Sequence, residues 1–422
     1  MRSLRERDAE VIWHPFTQSG MGVTPLSVVA AEGSNLILED GRKIIDGISS
    51  WWCNTHGHGH PELVKAAAKQ FAKLDHVMFA GFTHEPAVAL AEALLKVLPQ
   101  GFAKVFFSDN GSTACEVALK LAVQFWSNQG LSKRRRIIAL DGGYHGDTFG
   151  AMAVGARGPF SAPFDSMLFE VERVSIDGGE AALAHMRSLC ESEEIAAFIF
   201  EPLVQGAGGM RMYDAALLDS YMAIAHEYGV LSIADEVMTG FGRTGALFAS
   251  ESLLLSPDII CLSKGLTAGS LPLAVTVCTQ EIFERFISSD HSRTFFHGHT
   301  YTANPIACAV ALVALNLTVA PECEAARKRI EHLHREAAEE LSRIGYIENA
   351  RVCGTILAFD LNMGDVPGYM SNIARQAFQF FIERGLLIRP LGNVVYCMPP
   401  YCITEGELAS IYHAMRDFCA AR

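Results

Sequence analysis

The sequence predicts an α/β protein built on a mainly parallel sheet flanked by helices, with a smaller α+β domain attached. Three observations carry this reading. Through the middle of the chain short apolar runs alternate with helical segments, the pattern of parallel strands covered on both faces. Half of the 422 residues are hydrophobic and only 19% are charged, which is enough apolar material for a large core. Beyond about residue 320 the rhythm changes to a long charged helix, two strand candidates and a last helix.

The elements follow in order. Leu36–Leu38 and Lys43–Asp46 are apolar runs around Asp40-Gly41, a hairpin signal. From Pro61 the spacing becomes helical, with Leu63, Val64, Ala67, Ala68 and Phe71 on one face. Strands are predicted at 104–107, 136–140, 196–200, 230–234 and 258–262, with a helix over about 113–129 after the first. A charged helix near 322–343, strands at 356–361 and 394–398, and a helix near 405–420 complete the chain. Residues 1–60 are expected to contribute to the smaller domain, 61–304 to form the large domain and 305–422 the small C-terminal domain.

Composition narrows the function classes. The net charge of −13 disfavours nucleic acid, because phosphate contacts need a basic face. The one dense basic run, Lys133 to Arg136, precedes an apolar strand and reads as a solvated loop. Eleven scattered cysteines without a CxxC imply neither a disulfide framework nor a zinc site. The charged N-terminus lacks an apolar signal region, and the apolar stretch 307–320 is too short to span a bilayer. A cytoplasmic protein without a membrane partner is expected.

Functional groups of such sheets lie beyond the carboxyl ends of the strands. Ser108 to Thr113 leads from a strand into a helix, where free backbone N–H groups can hold a phosphate and Ser112 adds a hydroxyl; an ordinary helix cap would need only one of these residues. Asp235 and Glu236 end another strand, and a carboxylate there needs a cationic partner, with a cap or structural ion pair as the plain alternative. Lys264 ends a further strand among small residues, where burial favours the neutral amine that attacks carbonyls; alone, it would read as a surface lysine. Gln205 to Met210 lacks the third glycine of a dinucleotide fingerprint, since Arg211 stands in its place. His56, His58 and His60 alternate with Gly57 and Gly59, a turn rather than a metal site. A lysine, a carboxylate and a phosphate cup, each after a strand, together suit pyridoxal phosphate.

The set Asp109-Asn110-Gly111-Ser112, Tyr144-His145-Gly146, Asp235-Glu236-Val237, Gly240 to Gly245 and Ser263-Lys264-Gly265 resembles the class III aminotransferases over nearly the whole chain. The resemblance implies a pyridoxal phosphate enzyme of fold type I, acting on small molecules as a homodimer with shared active sites. It implies Lys264 as the cofactor-bearing and proton-moving lysine, Asp235 as partner of the pyridinium nitrogen, Gly111 and Ser112 as phosphate cup, and Tyr144 against the ring. Thr300 would reach the neighbouring subunit's phosphate. Trp13-His14-Pro15, Ser49 to Trp52, Gly143 to Thr148, Val204 to Met210 and Arg389-Pro390 further resemble the biotin-pathway branch of the family. In that branch S-adenosylmethionine donates an amino group to 8-amino-7-oxononanoate. Trp51 and Trp52 would then line the acceptor chain, Arg389 would fork onto its carboxylate, and Tyr144, Gly298 and the residue at Phe16 would touch substrate. Trp51 and Trp52 could otherwise be core residues, and Arg389 a surface ion pair.

Two segments depart from the branch. Phe16 stands where a tyrosine is usual, and His297-Gly298-His299-Thr300-Tyr301-Thr302 replaces its His-Gly-Pro-Thr-Phe-Met. Both changes resemble relatives that use lysine as donor, and the second also resembles general ω-amino acid aminotransferases. A pyridoxal phosphate decarboxylase or aminomutase, a nicotinamide oxidoreductase and a non-catalytic binding protein are the rivals from other classes.

Overall fold

A computed structural model describes residues 2–20, 25–362 and 372–420. Its centre is a seven-stranded sheet of β1 (Phe102–Ser108), β2 (Arg136–Leu140), β3 (Val171–Val174), β4 (Ile195–Phe200), β5 (Leu231–Asp235), β6 (Ile259–Leu262) and β7 (Ala274–Thr279). The spatial order is β1-β7-β6-β5-β4-β2-β3, and β7 alone runs antiparallel to its neighbours. Every residue of β4, β5 and β6 is buried, because both faces of the sheet are covered.

The strand period divides the core in two. Phe198, Phe200, Ile260 and Leu262 enter one apolar cluster, while Ala197, Ile199, Ile259 and Cys261 enter the other. Helix α1 (Gly111–Ser127) covers the second face with Ala114, Val117, Ala118, Leu121 and Phe125. Helix α2 (Pro305–Val319) supplies Ala307, Cys308, Ala311 and Leu315 to the first. The sequence boundary at 305 therefore precedes a helix packed against the large sheet. Among the described residues no single helix is long and apolar enough to cross a membrane.

The sequence pattern omits β3 and β7. β3, with Glu172 and Arg173 at its centre, is a short edge strand and has no apolar run to betray it. β7 carries a fully buried Thr276, whose hydroxyl donates to the Ala114 carbonyl at 2.8 Å and so satisfies a polar group that reads as a surface signal. The helix from Pro61 runs to Lys73 and buries Leu63, yet it leaves Val64 and Phe71 exposed, so only part of the expected apolar face is covered by this chain.

The two ends of the chain meet. The Asn35–Leu38 and Lys43–Asp46 strands pair as the expected hairpin, and Leu386–Leu387 adds in parallel beside the second of them. A three-stranded antiparallel sheet, Ile347–Cys353, Ile356–Leu361 and Val394–Cys397, packs with helix α3 (Pro321–Leu341). Their cluster also takes in Ile48, Trp52, Val204 and Met238.

The turn at Gly354 fastens this sheet to the Gly240–Gly245 segment. Its φ is +54°, and a Cβ there would lie 2.3 Å from the Gly245 nitrogen, while the next amide, Thr355, donates to the Arg243 carbonyl at 2.9 Å. Gly354→Ala should cost about 2 kcal/mol or more, read as a lower midpoint in thermal or denaturant unfolding.

Candidate active site

The carboxyl ends of β1, β2, β4, β5 and β6 deliver polar residues to one edge of the sheet. β1 ends at Ser108 and α1 begins at Gly111, where the Asn110 side chain caps the Thr113 amide at 3.0 Å. The first-turn amides of Gly111 and Ser112 have no intrahelical acceptor, so this end can hold an anion. The cup is closely built. A Cβ at Gly111 would lie 2.6 Å from Val237 Cγ1, and one at Gly146 (φ +128°) 2.0 Å from Ser112 Oγ. The Ser112 hydroxyl accepts from the Asp147 amide at 3.2 Å, which brings the loop after β2 onto the helix start.

Asp235 is the last residue of β5 and is 4% exposed. His145 Nδ1 lies 2.7 Å from its Oδ2, and the Cys115 thiol donates to the same oxygen at 3.5 Å. Oδ1 accepts from the Val237 amide at 3.1 Å. Burial opposes a charge on His145, but the hydrogen bonds to Asp235 and Cys115 outweigh it and raise the imidazole, so it keeps its proton. Cys115 is held well above the usual thiol range by its contact with Cys261, by burial and by Asp235, and remains a thiol. These three side chains are the one group with metal-binding proximity among the described residues; their mutual hydrogen bonds account for it. The neighbouring Glu236 plays a different part. Its carboxylate accepts the amides of Ala249 and Ser250 at 2.7 and 2.8 Å, a structural cap.

Lys264 follows β6, the strand beside β5, where Asp235 pairs with Cys261. Its backbone is left-handed, φ +45°, and its Nζ lies 4.7 Å from the centre of the Trp52 ring. Burial lowers the amine from the usual lysine range, against the pull of Asp235. That favours the nucleophilic form.

Tyr144, in the loop after β2, is 37% exposed, and burial raises its phenol so that it stays protonated. Its amide donates to Glu201 Oε1 at 2.9 Å. Trp52 is buried and donates through Nε1 to the Tyr396 hydroxyl at 2.8 Å. Trp51 is half-exposed; the Phe16 ring centre lies 5.7 Å from that of Trp51 and 6.3 Å from that of Phe160, both in T-shaped contact, and the Arg389 guanidinium sits 5.2 Å from the Trp51 ring centre. Two groupings result on adjacent residues: the Lys264 amine lies against Trp52, and Phe16 and Arg389 flank Trp51.

Gly298 and Thr300 stand apart. Both are exposed on the loop before α2, and among the described residues no hydrogen bond joins either to the Lys264 group. The three histidines do not converge. His58 pairs with Asp46 at 2.9 Å and His56 with Thr318 at 2.8 Å, and burial lowers His56 to about 4. Gln205 to Arg211 forms a tight hairpin against the Tyr144 loop. Sequence reasoning missed Glu201 and Phe160. Glu201 comes directly after the last residue of β4, as Asp235 closes β5, and that position was the available signal.

The residues present fit pyridoxal phosphate, with an anion cup in which glycines leave no room for a Cβ, a buried carboxylate and a lysine amine in the interior. The Aminotransferase class-III profile matches residues 16–418. An adenosylmethionine-8-amino-7-oxononanoate aminotransferase of Synechococcus elongatus is 50% identical over 417 residues, covering 96% of this chain and 97% of its own. One of Geobacter sulfurreducens is 37% identical, covering 96% and 95%. The crystal structure of one from Methanocaldococcus jannaschii superposes with a TM-score of 0.93 at 33% identity, covering 98% of each chain. A transaminase from a marine Virgibacillus gives 0.92 at 29%, covering 100% and 99%. With its sequence, its fold and its lysine–carboxylate site in agreement, the chain belongs to the class III aminotransferases.

Proposed function

We propose that the protein transfers the amino group of S-adenosylmethionine to 8-amino-7-oxononanoate, giving the diamine used for biotin, with pyridoxal phosphate as cofactor. The observation that carries the acceptor is the aromatic floor, with the Lys264 amine over Trp52 and the Arg389 guanidinium over Trp51. A ketone at the amine end and a carboxylate at the guanidinium end describe a long keto acid whose methylenes lie on the two rings.

When bound, pyridoxal phosphate supplies a ring that withdraws charge from the substrate carbon. Gly111 and Ser112 would hold its phosphate at the start of α1. Asp235, paired with His145, would hold the proton on the ring nitrogen. Tyr144 would pack against the ring. Lys264 would carry the cofactor, then remove and return the substrate proton with its neutral amine.

Thr300 and Gly298 would serve a second copy of the chain, which explains their distance from this chain's own site. The uncovered apolar side chains Val64, Phe71, Met78, Phe82 and Phe296 favour such a homodimer. Among the described residues no two cysteines form a disulfide, which suits a reducing, cytoplasmic setting. We divide the chain into a large cofactor domain that keeps α2, and a smaller domain built from the N-terminal segment and the C-terminal region.

A second reading replaces the donor with lysine. It is favoured by Phe16, which brings a ring but no hydroxyl into T-shaped contact with Trp51. A single-turnover experiment without acceptor separates the two. S-adenosylmethionine should bleach the yellow band of the holoenzyme; bleaching by lysine alone would transfer the assignment to the second reading, and bleaching by neither would leave a general ω-aminotransferase. Lys264→Ala should lower kcat by on the order of 10²–10⁴-fold or more, checked by steady-state assay of the cofactor-loaded protein. Arg389→Ala should raise KM for the acceptor roughly ten- to hundredfold while leaving the donor half-reaction near its original rate, since only the acceptor carboxylate loses its fork.

A further inference from the structure

We infer that Glu201 is a positioning residue, which fixes Tyr144 and, through the hairpin at Gly206, Trp52, by tying two active-site loops to one carboxylate. The inference rests on the reading above for what Tyr144 and Trp52 touch. The connection itself is read from contacts that do not depend on it.

Glu201 follows β4 directly and is 5% exposed. Its two oxygens serve different loops. Oε1 accepts the Tyr144 amide at 2.9 Å, and Oε2 accepts the Gly206 amide at 3.0 Å. The loops are already in near contact, since a Cβ at Gly208 would lie 2.4 Å from the Gly142 carbonyl, and Gln205 Nε2 donates to the Asp141 carbonyl at 2.7 Å. The hairpin in turn supports the aromatic floor. A Cβ at Gly206 would lie 3.2 Å from Trp52 Cζ3, and Trp52 is the ring under the Lys264 amine. Burial raises the Glu201 carboxyl to about 7, against the nearby His145 and the two amide bonds, so the group sits in the interior at a cost that its two contacts offset.

A carboxylate is the side chain that suits this place. Glutamine offers one acceptor oxygen, and its NH₂ would face an N–H. Aspartate keeps both oxygens but on an arm one methylene shorter.

The test is hydrogen exchange on the holoenzyme, resolved to single amides across 141–147 and 203–210. In the unaltered protein the Tyr144 and Gly206 amides should exchange more slowly than their loop neighbours. In Glu201→Gln at least one of them should exchange roughly tenfold faster, while β4 is unchanged. The same variant should keep its cofactor band and lose roughly tenfold or more in kcat/KM for the acceptor. Unprotected amides in the unaltered protein would overturn the inference without any variant. So would a Glu201→Gln protein with a lower melting temperature but unchanged exchange or unchanged kinetics. Absence of transamination in the unaltered enzyme would instead overturn the proposed function.

Discussion

The buried contact between His145 and Asp235 is the interaction on which the site depends. A carboxylate at the end of an interior strand is costly unless a cation meets it, and here the cation comes from the loop after β2 at 2.7 Å. Because that loop must reach Asp235, Tyr144 is carried to the same edge and Gly146 is pressed against Ser112. One ion pair therefore draws the ends of β1, β2 and β5 together. Lys264 arrives independently, on the neighbouring strand, and its depressed basicity comes from the same shortage of water.

Much of this could be read from the chain. The strands at 136–140 and 356–361 fall where the apolar runs place them, because their residues are buried on both faces or nearly so. Asp235 and Lys264 stood out as polar residues closing apolar strands. β3 and β7 did not, since their interiors carry charged or hydroxyl groups satisfied only by tertiary partners. Glu201 escaped for a related reason: its partners are backbone amides, one 57 residues before it and one five residues after it, and backbone donors leave no residue signature. The exposed half of the Pro61–Lys73 helix and the isolation of Thr300 are not failures of periodicity. In the proposed homodimer they would be surface that a second copy of the chain covers.

Backbone strain collects where the chemistry is expected. Ser49, Ser50, Trp52 and Lys264 all have positive φ, a conformation that costs about 1–3 kcal/mol for residues with a side chain. Each is restrained. The Ser49 hydroxyl donates to the Met398 carbonyl at 2.8 Å, the Ser50 amide meets both Asp46 oxygens, and Trp52 is anchored on Tyr396. The restraints come from both ends of the chain, so the wall of the site is rigid only in the completed fold.

The pairing of the Lys43–Asp46 strand with Leu386–Leu387 has a consequence for biogenesis. Roughly 340 residues must leave the ribosome between the two strands, a delay of tens of seconds at about 5–20 residues per second. During that interval the Lys43–Asp46 strand lacks its parallel partner and the tryptophans that follow it lack the Tyr396 hydroxyl, so their apolar surface is open to chaperones or to another nascent chain. The large sheet can form meanwhile, since all its strands precede residue 280. Assembly thus has a built-in order: the scaffold of β1 to β7 comes early, and the aromatic wall is completed only as synthesis ends.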